Sequence, residues 1–114
     1  MCYASKIVRL SLPNLNTFGN SPDSAFKGMT SLEYLHIPNI AACNSGFGFR
    51  YCGGDREIII DFRGRNLNYV PELAGSFFSV SSTSKINPVI YVDAAQYSMW
   101  AENEDWSKYT IISK

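Results

Sequence analysis

Residues 6–15, Lys-Ile-Val-Arg-Leu-Ser-Leu-Pro-Asn-Leu, return 25 positions later as residues 31–40, Ser-Leu-Glu-Tyr-Leu-His-Ile-Pro-Asn-Ile. Ile7 falls on Leu32, Leu10 on Leu35, Leu12 on Ile37, Pro13-Asn14 on Pro38-Asn39 and Leu15 on Ile40. The same slide carries Leu35 to Ile60 and Ile37 to Phe62, and predicts that Phe26 corresponds to Tyr51 and Gly28 to Gly53. A fourth, stretched copy places Ile90 on Ile60, now 30 residues on. A fixed period of this size predicts a solenoid, because each unit is too small to bury its own apolar face and must stack on its neighbours.

Each copy reads as apolar, two variable residues, apolar, one variable, apolar, then a turn. The last positions alternate as in a short strand with one face buried. Strands are therefore expected over 7–13, around 34–37, over 57–62 and over 89–92, side by side at about 4.8 Å. At 114 residues the chain has room for about four such rungs in one domain, 1–114. The fold class expected is a β-rich solenoid of short parallel strands with irregular convex turns.

The connecting segments carry turn residues. Residues 16–23 are rich in Asn, Ser, Pro and Gly, with Phe18 as the inward anchor, and residues 1–5 end a convex turn. Gly28 permits a tight turn before the second strand. After the third strand, Leu67, Tyr69, Val70 and Leu73 are expected to supply apolar contacts at the back of the coil. Residues 76–85 read as an enlarged loop around Phe77-Phe78 with a polar Ser-rich tip. Asp93 with Gln96 three residues later has the pattern of a capping box and predicts a short helix. Tyr97, Trp100 and Ala101 then share one face of it, and 110–113 adds a final strand. Residues 93–114, with Trp106 and Tyr109, form the C-terminal cap.

Ten acidic and ten basic residues give no net charge, so nothing in the balance attracts nucleic acid or an anionic membrane. No apolar run reaches the roughly 20 residues of a membrane-spanning helix. The first residues lack the basic start and apolar core of a signal peptide, and the repeat register begins in mid-unit, which leaves room for further repeats before Met1. Three cysteines show no metal-ligand spacing. Cys2 and Cys52 lie two rungs apart, about 9.6 Å by strand spacing and too far for an unstrained disulfide, and Cys43 reads as a small buried apolar residue. No cofactor is expected.

The Ala-Phe-x-Gly-x-Thr-Ser-Leu run at 25–32, the Ile37-Pro38-Asn39 strand exit, and the closing Ile90-Tyr91-Val92 followed by Trp106 and Tyr109 resemble the BspA-like leucine-rich repeats of bacterial surface and bacteriophage proteins. The resemblance covers nearly the whole chain, is weaker over 41–85, and departs at Asp93, where proline is common in that family. It implies a leucine-rich-repeat solenoid used for adhesion or protein binding, with a short C-terminal capping helix, and it specifies no ligand.

Stacking turns the variable strand positions into columns. One column is Arg9, Tyr34, Ile59 and Val89; the next is Ser11, His36, Asp61 and Tyr91, with Arg63 following on the same side. These nine residues are the candidate binding surface, for a protein partner or a cell-surface glycan. Two other readings stand beside an adhesion module. One is a small intracellular or phage-encoded protein that blocks a protein partner. The other is a hydrolase in which Ser11, His36 and Asp61, in register on neighbouring strands, serve as nucleophile, base and orienting acid. Against the last, nothing in the sequence marks an oxyanion hole, and a surface His36–Asp61 ion pair is the simpler expectation.

Overall fold

The computed structural model describes residues 6–18 and 24–114. It has an α/β fold built on one five-stranded, all-parallel sheet with one short helix near the C-terminus. In chain order the strands are β1 (Arg9–Ser11), β2 (Tyr34–His36), β3 (Ala42–Cys43), β4 (Glu57–Asp61), β5 (Glu72–Leu73), β6 (Asn87–Val92) and β7 (Thr110–Ser113). The helix α1 (Tyr97–Ala101) lies between two single 3-10 turns. The main sheet runs β1-β2-β4-β6-β7, so neighbours in space are successive copies of the sequence unit, and β3 pairs with β5 in a separate two-stranded ribbon. Nothing in the repeat pattern signals that ribbon.

The register joins Leu10, Leu35, Ile60, Ile90 and Ile111 in one inward row. Leu35, Ile60 and Ile90 are fully buried, and Ile37, Phe62 and Val92 form a second buried row one step on. Burying each such side chain stabilises the fold by about 1.5–3 kcal/mol, which is why strands of three to six residues hold their register. The first strand is shorter than the expected 7–13, and β6, expected over 89–92, begins earlier, at Asn87, because backbone pairing extends as far as the neighbouring strand allows.

The turns depart from the 25-residue slide. Phe26 N–H donates to Gly48 O and Gly28 N–H to Arg50 O, both at 2.8 Å, and the ring stacked on Phe26 is Phe49, at 5.4 Å between centroids. The equivalence of Phe26 with Tyr51 and of Gly28 with Gly53 is therefore wrong. The two turns span the same 25 positions between paired strand residues, but the buried ring comes two residues earlier in the later turn, and that buried aromatic position decides which residues match. Tyr51 takes the place of Gly28, and both adopt left-handed backbone, φ 65° and 74°. A tyrosine there costs about 1–2 kcal/mol that glycine avoids. The ring stack continues from Phe49 to Phe78, which meets Trp106 and Tyr109.

At the C-terminal end Trp100 and Trp106 are fully buried, 4.9 Å apart, and both pack on Phe62. The indole N–H of Trp106 donates to Pro71 O at 2.8 Å, so its polar atom is satisfied inside the core. The capping box does not form. Asp93 makes no side-chain bond to the helix start; its carboxylate accepts from Gly64 N–H instead, while Gln96 donates to the carbonyls of Arg65 and Leu67. The loop after β4 offers unpaired main-chain groups that outcompete a single 3-10 turn. Tyr97 does not share the buried face of Trp100 and is exposed. Phe18 packs half-buried on Phe26 and Phe77 as expected, and Phe77 and Phe78 are buried beneath the Ser-rich tip. The expectations for residues 1–5, for Cys2 and for 19–23 lie outside the described residues.

Candidate functional site

The outward positions line up as two columns. Arg9, Tyr34, Ile59, Val89 and Thr110 are successive partners, and so are Ser11, His36, Asp61, Tyr91 and Ile112. A period of two along each strand sends these side chains to the face opposite the core row. All nine candidate residues thus occupy one face or, for Arg63, the turn that leaves it.

Their side chains interlock. The Arg9 guanidinium lies 3.9 Å from the centre of the Tyr34 ring. The Tyr34 hydroxyl donates a short hydrogen bond to Asp61 Oδ2. Asp61 also accepts from the Arg63 main-chain N–H at 2.9 Å and from its guanidinium at 2.8–3.1 Å. Arg63 then stands 5.3 Å from the Tyr91 ring, and Lys114 stands 5.1 Å from the same ring. The chain Arg9–Tyr34–Asp61–Arg63–Tyr91–Lys114 crosses the face from edge to edge. Lys114 was missed in the sequence, although extending the Tyr91–Ile112 register by two residues would have found it.

Asp61 is 1% exposed, which corrects its expected place in an open column. Burial pushes its carboxyl up, but the hydrogen bonds from Arg63 and Tyr34 outweigh it and hold the group below the usual carboxylate range. Tyr34 responds in the opposite sense: burial, and then its bond to the Asp61 carboxylate, raise the phenol. The Arg63 guanidinium is raised, chiefly through its bonds to Asp61.

Ser11 and His36 meet, with Oγ 2.8 Å from Nδ1. Asp61 does not join them, because its oxygens are taken by Tyr34 and Arg63. The other ring nitrogen, Nε2, lies 2.9 Å from Arg63 O, an atom that only accepts, so Nε2 carries a proton and donates. In the neutral ring Nδ1 is then the acceptor for the Ser11 hydroxyl. The expected His36–Asp61 pair is absent for the same reason.

Away from this face, Arg65 is buried and ties loops together, donating from Nε to Tyr69 O and from Nη1 to Pro38 O and Ile40 O. Burial lowers its pKa, and Nη2 has no partner among the described residues. Cys43 and Cys52 are buried thiols, and burial raises both. Among the described residues no three His, Cys, Asp or Glu side chains converge on one point, and no helix is long and apolar enough to cross a membrane. No protein-family profile, curated protein or solved structure matches this chain.

Proposed function

We propose that the chain is a BspA-like leucine-rich-repeat solenoid, a non-enzymatic adhesion module that binds a protein partner through its strand face. Successive copies of the unit pair in parallel, with Leu10, Leu35, Ile60 and Ile90 in one inward row, and the turns stack Phe26, Phe49 and Phe78; both features support the solenoid. The observation that carries the binding assignment is the interlocked row from Arg9 to Lys114. Aromatic and arginine side chains dominate binding energy at interfaces, and they do so best when already held in place, because less side-chain entropy is lost on docking.

The test is capture of partners from bacterial and host-cell lysates by the wild type and by a Tyr34→Ala, His36→Ala, Tyr91→Ala variant, once circular dichroism shows both folded. A protein bound by the wild type and lost with the variant is the expected result. Equal capture by the two proteins would move the interaction off the strand face and end this assignment.

A further inference from the structure

We infer that the loops leaving the C-terminal ends of β1, β2 and β4, with the segment that follows α1, form a separate site for a neutral oligosaccharide, independent of the strand-face reading. Two clefts, of about 360 and 380 Å³, adjoin there and share Ala41 and Tyr69 in their walls. Each falls within the range of about 300–1,000 Å³ usual for ligand sites. The first is flanked by Asn16, Asn66 and Leu67, the second by Glu72, Asn103 and Asp105. Together they make one groove with Tyr69 at its saddle.

Tyr69 was expected to pack inside and does not. The residue is 47% exposed and lines both clefts. The loop that carries it is fixed from below. Arg65 holds Tyr69 O, Pro38 O and Ile40 O, and its guanidinium lies 5.5 Å from the Tyr69 ring. Asn39 ties the neighbouring loops, donating to Pro13 O and accepting from Asn66 N–H. The groove is thus assembled before any ligand arrives, which lowers the entropy cost of binding.

The groups around the ring have the chemistry that sugar hydroxyls need. Amides present a donor beside an acceptor, and carboxylates present two acceptors, so each can grip a pair of adjacent hydroxyls. Among the described residues, the side chains of Asn16, Asn66, Glu72 and Asp105 make no hydrogen bond or ion pair of their own. The ring face offers the apolar surface on which the C–H side of a pyranose stacks. Charge narrows the class further. Among the described residues Glu72 and Asp105 have no cationic partner, and Arg65 beside the groove is buried beneath the loops. A sialylated or sulfated chain would meet repulsion there, and a neutral one would not.

Purified protein applied to an array of neutral, sialylated and sulfated oligosaccharides tests this, with titration calorimetry on the hits. Neutral oligosaccharides are expected to bind and acidic ones to fail. Tyr69→Ala should weaken binding about tenfold and Tyr69→Phe should keep it, since stacking uses the ring and not the hydroxyl. Glu72→Gln with Asp105→Asn should admit acidic sugars. The Tyr34→Ala, Tyr91→Ala variant should bind sugar like the wild type, which separates this site from the strand face. No neutral sugar bound, acidic sugars preferred, affinity unchanged in Tyr69→Ala, or a peptide competing for the groove while sugars do not, would each overturn the assignment.

Discussion

The Tyr34 hydroxyl reaches across one strand spacing to donate to the Asp61 carboxylate, and that carboxylate is at the same time clasped by Arg63. The pair closes an outward column that would otherwise be open. It also takes Asp61 away from His36, so the serine, histidine and carboxylate that share a row in the sheet do not act as one unit.

Asp61→Asn is expected to lower stability at pH 7 by about 1–3 kcal/mol, since the Arg63 and Tyr34 donors lose a charged acceptor inside the protein. The folded carboxyl titrates below its unfolded value of about 3.9, so its contribution is present above that pH and fades as the pH falls through the folded value. Urea unfolding of wild type and variant between pH 7 and pH 2 should therefore show the gap shrinking below about pH 4. A gap that stays constant over that range would mean that Asp61 is not held as an ion.

Gly48 faces a backbone atom: a Cβ added there would sit 2.5 Å from Phe77 O. Gly48→Ala is expected to cost about 1–3 kcal/mol by overpacking. At Gly75 an added Cβ would meet nothing within 4 Å, so alanine should be accepted there within about 0.5 kcal/mol. Thermal unfolding of the two variants side by side measures the difference, and equal midpoints would place the aromatic turn stack elsewhere.

Ser11→Ala should leave any hydrolysis of p-nitrophenyl esters by this protein at the wild-type rate. Ser11 and His36 are paired, but the orienting partner of the ring is the Arg63 carbonyl, and the carboxylate is engaged by other donors. A loss of hydrolysis on removing the Ser11 hydroxyl would show that this pair is a working nucleophile and base.

The sequence alone determined the five strands of the main sheet and the parallel register of its repeated units, though not the β3–β5 ribbon. Alternation of apolar residues, and the Pro-Asn exits at 13–14 and 38–39, are local patterns, and a period-two strand with one buried face has only one register that keeps Leu10, Leu35, Ile60 and Ile90 inside. The outward columns followed from the same constraint, so the positions of all nine candidate residues were legible.

What those residues do to one another was decided by the tertiary structure. Asp61 is buried because Arg63 folds back over it and Tyr34 leans across from the next strand, neither of which a spacing rule contains. Asp93 and Gln96 abandoned the helix start for the loop after β4, and Phe49 displaced Tyr51 as the mate of Phe26 because the stacked rings and backbone bonds set where in the turn the buried ring falls. Tyr69, apolar enough to read as core, was left outside once Arg65 claimed its carbonyl. In each case several partners compete for one polar atom or one buried position. The outcome depends on distances in space that the order of residues does not carry.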